Sequence, residues 1–213
     1  MAAYDLEEQE QLATLKAWWK ENGNLVMTSV SLVLIVLAAW QGWSYYQRHQ
    51  AAQASALYDT VLKAAQANDL KQVRERTGAI LEQYPRTAYA AMAALVSAKA
   101  HFQGGDLKTA HAQLAWVAEN AKDEGLQDIA RLRLASVMLD EKAYDDALKA
   151  LDAKHGAAFD ALFLAARGDV LVAQGKKDEA RSAYKAALDK AEAKDAGLRG
   201  SIQLRLDALG TAK

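Results

Sequence analysis

The histidines are the side chains of this sequence best suited to proton transfer or metal binding. There are four, at His49, His101, His111 and His155. None has the HExxH spacing, or another i,i+4 pairing, that puts two ligands on one helix face. His101 and His111 flank a predicted turn and could approach each other, so an acid–base or metal role stays open as an alternative. We expect His101 to pack inside the domain and the other three to lie in water.

Two glycine-containing turns and two acidic pairs could also suggest chemistry. Gly104-Gly105 and Gly175-Lys176-Lys177 lack the GxxxxGK(S/T) spacing and the preceding strand of a phosphate-binding loop. Asp145-Asp146 and Asp178-Glu179 open predicted helices, where carboxylates suit the helix dipole. The chain has no cysteine, which excludes disulfides, thiolate catalysis and cysteine-bound metals. The sequence therefore predicts a protein that is not an enzyme and uses no cofactor or metal.

The composition is typical of an all-α protein. Hydrophobic residues make up 52% of the 213 residues, and only one proline is present. Alanine, leucine, lysine, glutamate and glutamine dominate, and these are the strongest helix formers. Lys+Arg 26 against Asp+Glu 27 gives a net charge of -1. That balance lacks the basic surplus of a nucleic-acid-binding surface, so we expect no nucleic-acid partner.

Residues 25–46 contain no charged side chain and predict a transmembrane helix. At a rise of about 1.5 Å per residue the segment covers about 33 Å, enough to cross a hydrocarbon core of about 30 Å. Aromatic residues flank both ends like interfacial belts, namely Trp18, Trp19, Trp40, Trp43, Tyr45 and Tyr46. The alternatives are a buried core helix and a cleaved signal peptide. The preceding tail is acidic and lacks a basic n-region, which favours an uncleaved anchor in the lipid bilayer.

Charge alone does not decide the orientation of this anchor. Lys16 and Lys20 precede the predicted span, and Arg48 and Lys63 follow it at similar distances. The short N-terminal tail and the large C-terminal domain favour a cytoplasmic N-terminus. We expect residues 1–24 to form a cytoplasmic tail.

Residues 47–210 predict a tetratricopeptide-like α-solenoid of antiparallel helix pairs. Helical character continues without a breaker through residues 47–67, and turn signals then recur between helix-length stretches. The clearest copies of the repeat, whose period is about 34 residues, lie near 91–120, 128–155 and 161–192. A degenerate copy lies near 54–87.

The copy at 161–192 carries the most specific features of the repeat. Gly168 and Ala180 are small enough to let its two helices approach closely, and Tyr184 is expected to fill the space beside them. Gly175 stands at the turn, where a conformation outside the right-handed helical region is commonly required.

The first helix of each pair lines the concave surface in tetratricopeptide solenoids. Reading the corresponding positions from the three clearest copies gives eight large apolar residues: Met92, Leu95, Phe102, Ile129, Leu132, Leu139, Leu162 and Val172. Our hypothesis is an apolar cradle for a hydrophobic helix or an unfolded client. The alternative is a shifted register or coverage of this face by other helices of the chain. Full burial of Leu95, Leu132 and Leu139 would refute the cradle.

Five further features are specific: WWKENGN at residues 18–24, Gly42-Trp43 in the span, the long exit helix, and residues 131–152 and 166–188. In these features and their order the sequence resembles the YfgM family, the ancillary subunits of the bacterial SecYEG translocon. The sequence departs from the family's pattern in two ways: Glu192 stands where the repeat usually ends in proline, and the first copies are degenerate.

The resemblance implies a single-pass protein of the bacterial inner membrane, with a cytoplasmic N-terminus and a periplasmic repeat domain. It implies a non-enzymatic accessory subunit of the SecYEG translocon that binds exported or unfolded clients and helps hand them to periplasmic chaperones. The membrane-anchored foldase PpiD is an implied partner. The alternative function is a membrane-anchored scaffold for another envelope complex, such as the cell-wall or division machinery.

Overall fold

The computed structural model describes residues 2–210, with side chains from Glu8 onward, and these residues form an all-α chain. The predicted fold class is confirmed. Within the described range the helices are α1 Ala2–Gln66, α2 Leu70–Gln83, α3 Ala88–Gln103, α4 Leu107–Asn120, α5 Glu124–Asp140, α6 Tyr144–Leu151, a short 3-10 helix Ala157–Phe159, α7 Asp160–Ala173, α8 Lys177–Lys190 and α9 Ala196–Ala208.

The chain divides into two compact units, residues 1–49 and residues 50–213, and α1 runs through both. In the first unit the apolar side chains of the predicted span are exposed, as at Ile35 and Leu25. Among the described helices, α1 is the one long and apolar enough to cross a membrane. A helix that exposes apolar side chains along such a length is suited to lipid rather than water.

The second unit is a tetratricopeptide-like solenoid of antiparallel helix pairs, as predicted. Helices α3 and α4, α5 and α6, and α7 and α8 pack as pairs, and each pair contacts the next through α4–α5 and α6–α7. The end of α1 and helix α2 supply one further pair, since Val61, Val73 and Ile80 are buried in a common cluster. Alanine is frequent in all the cores, and its small side chain lets the helices approach closely.

One turn geometry recurs inside all four pairs. The second residue after the end of the first helix of each pair has a positive φ: Asn68, Gly105, Lys142 and Gly175, with φ of 54°, 80°, 60° and 78°. The next residue donates its backbone N–H to a carbonyl five residues earlier, at 3.0, 2.9, 2.8 and 2.9 Å. This is the Schellman arrangement that satisfies the last carbonyls of a helix. The degenerate copy near 54–87 therefore has the same turn as the clear ones.

The last pair has the close helix approach predicted for it. A Cβ atom added at Gly168 on α7 would lie 2.4 Å from Cε1 of Tyr184 on α8, so only glycine fits beneath the tyrosine ring. Beyond this pair, α9 contributes the fully buried Ile202 to the same core. Helix α9 thus covers apolar surface that would otherwise end the solenoid in water.

Candidate partner-binding surface

The eight residues predicted to bind a partner lie on α3, α5 and α7, the first helices of three successive pairs. We call these eight residues the first-helix face. Helix α3 contacts α5, and α5 contacts α7, so the three sets of residues lie on neighbouring helices. This adjacency follows from stacking pair on pair, which brings corresponding helices of consecutive repeats side by side.

The first-helix face is neither buried nor fully solvated. Phe102, Leu162 and Val172 are exposed, at 40%, 38% and 39% of their maximal accessible surface. The other five residues are half-buried: Met92, Leu95, Ile129, Leu132 and Leu139. Every member of the face keeps part of its apolar surface accessible to a partner.

Exposed large apolar residues are concentrated on this face. Among the described residues of the second unit, four large apolar side chains are exposed, and three of them are Phe102, Leu162 and Val172. The fourth, Leu204, lies on α9. Scattered apolar residues are normal on any protein surface, but the position of three of these four on first helices is the pattern of an interaction surface.

The half-buried leucines show what anchors the face. Leu95 packs against the core cluster shared by α3, α4 and α5. Leu132 and Leu139 pack against the cluster that contains Phe163 and Val170 of α7. These leucines hold neighbouring first helices together with one part of the side chain and remain accessible with the other.

A polar group divides the apolar surface on α7, between Leu162 and Val172. Asp169 accepts a hydrogen bond from the phenolic O–H of Tyr184 at 2.8 Å and pairs with Arg205 of α9 at 2.8 Å. Burial raises the pKa of Asp169, against the opposing effects of the Tyr184 hydrogen bond and the Arg205 charge. Burial and the Asp169 carboxyl together raise the pKa of Tyr184, which therefore remains a neutral donor.

The histidines are placed partly as expected. His101 is buried, with 1% of its surface accessible. His111 lies 3.0 Å from Glu141, and the His155 ring stacks on Phe163 with the ring centroids 3.9 Å apart. The expectation of a ring in water was wrong for His155, because residues 152–159 fold back toward α7. The His111 ring keeps 35% of its side chain accessible beside the next repeat. Among the described residues, no three His, Asp or Glu side chains are placed to hold a metal ion.

His101 lies in a small charged group at the turn between α3 and α4. Its Nδ1 is 3.2 Å from Oδ2 of Asp106, outside hydrogen-bond geometry, and the same oxygen pairs with Arg74 at 2.5 Å. Burial lowers the pKa of His101; Asp106 acts in the opposite direction, and Arg74 lowers the pKa further. A buried neutral ring of this kind supports packing rather than proton transfer.

One buried carboxylate that holds the domain together was not predicted from the sequence. Asp128, on α5, is 2% exposed and accepts the backbone N–H of Gly156 at 2.9 Å and the Arg131 guanidinium at 2.9 Å. Arg131 also donates to the carbonyl oxygen of Lys154 at 3.2 Å. This pair attaches the loop before α7 to α5. The contact between Asp128 and Gly156 joins residues 28 positions apart in the chain, and a local sequence pattern does not predict such a pairing.

The comparisons with known proteins agree with this architecture. Residues 16–211 match the family model described as a tetratricopeptide repeat-like domain. The ancillary SecYEG translocon subunit of Neisseria gonorrhoeae is 34% identical over 98% of this chain and 100% of its own length. The Haemophilus influenzae protein of the same name is 34% identical over 87% of this chain and 90% of its own length. The Escherichia coli one is 30% identical over 85% and 87%. With this similarity, one apolar N-terminal helix and a tetratricopeptide-like domain, the chain belongs to the family of ancillary SecYEG translocon subunits.

Proposed function

We propose that the protein is a non-enzymatic accessory subunit of the SecYEG translocon that binds exported, incompletely folded chains through its first-helix face. The observation that carries the proposal is that three of the four exposed large apolar side chains among the described residues of the second unit are Phe102, Leu162 and Val172, the fourth being Leu204 on α9. The assignment to the translocon rests on the relatives, which are named ancillary SecYEG translocon subunits.

The chemistry of the face favours an apolar segment as its ligand. Large apolar residues on three adjacent helices offer contact area without a demanding pattern of hydrogen bonds. A partner of this kind contributes binding energy mainly through burial of apolar area, which suits clients with different sequences. Asp169 is already bonded to Tyr184 and Arg205, so it leaves the face without an unpaired charge at this position.

In our proposal, the membrane anchor holds the first-helix face close to the export machinery. The apolar helix of the first unit spans the inner membrane, residues 1–24 are cytoplasmic, and the repeat domain, residues 47–210, is periplasmic. A chain emerging from the translocon then meets the face at high effective concentration. The periplasmic chaperone that receives the client is a further partner, and the membrane-anchored foldase PpiD is the one implied by the family resemblance.

Binding to an unfolded exported protein tests this proposal. The full chain is reconstituted in nanodiscs and titrated against a fluorescently labelled, reduced and unfolded secretory protein. Phe102→Gln combined with Leu162→Gln is expected to weaken binding by at least about tenfold, since burial of each side chain contributes roughly 1.5–3 kcal/mol.

Leu204→Gln is the control, because it removes a large apolar side chain from α9 that is more exposed, at 73%, than Phe102 or Leu162. It is expected to leave the affinity unchanged. Equal losses in the double variant and in Leu204→Gln would contradict the assignment of binding to the first-helix face. No binding of any unfolded chain would favour the scaffold function instead.

A further inference from the structure

Between Glu8 and Asn24, the large apolar side chains of α1 lie on one side of the helix. Leu12, Leu15 and Trp19 follow one another at i, i+3 and i+7, which puts them in one stripe along the helix. All three are exposed, and so is Trp18, whose ring centroid lies 6.4 Å from that of Trp19. We call Leu12, Leu15 and Trp19 the N-terminal stripe.

Charges are sorted around this stripe. At about 100° per residue, Lys16 lies about 40° from Leu12 and Lys20 follows on the same flank. By the same rule Glu10 lies about 170° and Glu21 about 150° from the centre of the stripe, on the opposite side of the helix. Glu8 lies one turn before Leu12, where it ends the stripe. The segment therefore has an apolar side, basic residues beside it and acidic residues on the opposite side.

The junction with the span contains residues that bend easily. Asn22, Gly23 and Asn24 are all poor helix formers, and glycine is poorer than any residue except proline. The indole of Trp19 lies over Gly23, since an added Cβ would be 3.1 Å from its Nε1 atom. Helix α1 is continuous through these residues in the structure. A bend here at a membrane surface would turn the segment and leave the stripe intact.

We propose that residues 11–23 lie along the membrane surface as an interfacial amphipathic helix, with the two lysines on anionic lipid headgroups. The N-terminal stripe enters the boundary between headgroups and acyl chains, which is the region that tryptophan prefers. Lys16 and Lys20 flank the stripe at headgroup level, and Glu10 and Glu21 face the water. The sorting of charge is complementary to an anionic bilayer surface.

Because the segment is continuous with the predicted span, even a short amphipathic helix can stay bound to the membrane surface. Two turns of apolar surface bind weakly when free in solution, but the adjoining span holds them permanently at the bilayer surface. The same stripe is short for pairing with a second copy of the chain, which needs a longer apolar seam. A lipid surface is therefore the occupant that the segment fits.

Site-directed spin labelling tests this inference directly, because the chain has no cysteine and each label is unique. Leu15→Cys labels the N-terminal stripe, and Ala17→Cys labels the opposite side at nearly the same position along the helix. Each full-length variant is placed in nanodiscs, one chain per disc. We measure collisions of the label with oxygen, which concentrates in lipid, and with a water-soluble nickel complex.

The expected ratio of oxygen to nickel collisions is severalfold higher at residue 15 than at residue 17. Equal ratios at the two positions, both typical of water, would overturn the inference. Low collision rates with both reagents at residue 15 would also overturn it, because they indicate a protein cover instead of lipid.

A second comparison tests the lysines. Nanodiscs of phosphatidylcholine alone are compared with nanodiscs that also contain phosphatidylglycerol, with the label at residue 15. Phosphatidylglycerol is expected to raise the oxygen-to-nickel ratio of the parent chain and to have no effect after Lys16→Gln and Lys20→Gln. The same response in both proteins would overturn the assignment of the lysines to headgroups.

Discussion

The phenolic oxygen of Tyr184 donates a hydrogen bond to Oδ1 of Asp169 at 2.8 Å, and the ring of the same tyrosine lies over Gly168. One side chain of α8 therefore both fills the gap left by a glycine on α7 and satisfies the carboxylate beside it. Arg205 binds the other oxygen of that carboxylate from α9, at 2.8 Å. The last helix pair and α9 are consequently joined through three side chains at the edge of the first-helix face.

Gly168→Ala is expected to destabilise the repeat domain by about 1–3 kcal/mol. The new Cβ would overlap the Tyr184 ring, and overpacking of this kind forces helices or rotamers to shift. The free energy of unfolding is measured from urea titrations of the full chain in detergent, followed by helical circular dichroism. Gly200→Ala is the control, because nothing lies within 4 Å of a Cβ there. An equal change in both variants would contradict the close approach at Gly168.

Tyr184→Phe separates the hydrogen bond of this tyrosine from its packing. The ring stays over Gly168, but Asp169 loses a donor and retains only Arg205. We expect a loss of about 1 kcal/mol in the same urea titration. Since the Tyr184 hydrogen bond lowers the pKa of Asp169, its removal is also expected to raise that pKa further, as read from the carboxyl signal of Asp169 in NMR spectra across pH. An unchanged titration of Asp169 would contradict the pairing.

Asp128→Ala is expected to cost about 3 kcal/mol of stability, because it leaves Arg131 and the N–H of Gly156 without their buried acceptor. Hydrogen exchange should accelerate most at Gly156. Asp146→Ala is the matched control, since its ion pair with Lys149 is exposed and such pairs contribute little. Exchange at Gly156 as slow as in the parent chain would show that the loop is held by something else.

Stability is expected to fall in mild acid because of His101. Burial lowers its pKa below the ordinary value of 6.5, so the unfolded chain takes up a proton at a pH where the folded chain does not. The free energy of unfolding therefore decreases as pH falls through 6.5 toward the folded pKa, by up to about 1.4 kcal/mol per pH unit. His101→Leu should flatten this slope in urea titrations between about pH 7 and pH 5. A slope identical to that of the parent chain would contradict this role of His101.

Local patterns predicted the helix pairs because each turn depends on a few adjacent residues. Gly175 has the positive φ expected of it, and the acidic pairs Asp145-Asp146 and Asp178-Glu179 do lie in the first turns of α6 and α8. The contact between Gly168 and Tyr184 was predictable for a similar reason, since both are characteristic positions within one repeat.

Contacts between repeats were not predictable in this way. Asp128 on α5 binds the backbone of Gly156 in the loop that follows α6. His155 stacks on Phe163 instead of lying in water. The degree of exposure along the first-helix face also depends on the neighbouring repeat. Leu132 is half-buried and Phe102 exposed, although both occupy apolar positions of a first helix. A periodic pattern identifies the face but not how much of it the adjacent helices cover.

Photo-crosslinking in living cells tests the central claim most directly. A photoreactive phenylalanine analogue replaces Phe102 on the first-helix face or Lys149, an exposed residue of the second helix α6, while a secretory chain is stalled in the translocon. Our account predicts crosslinks from residue 102 to SecYEG subunits or the stalled chain, and none to either from residue 149. Crosslinks from residue 102 only to another envelope assembly, or equal crosslinking from both positions, would contradict it.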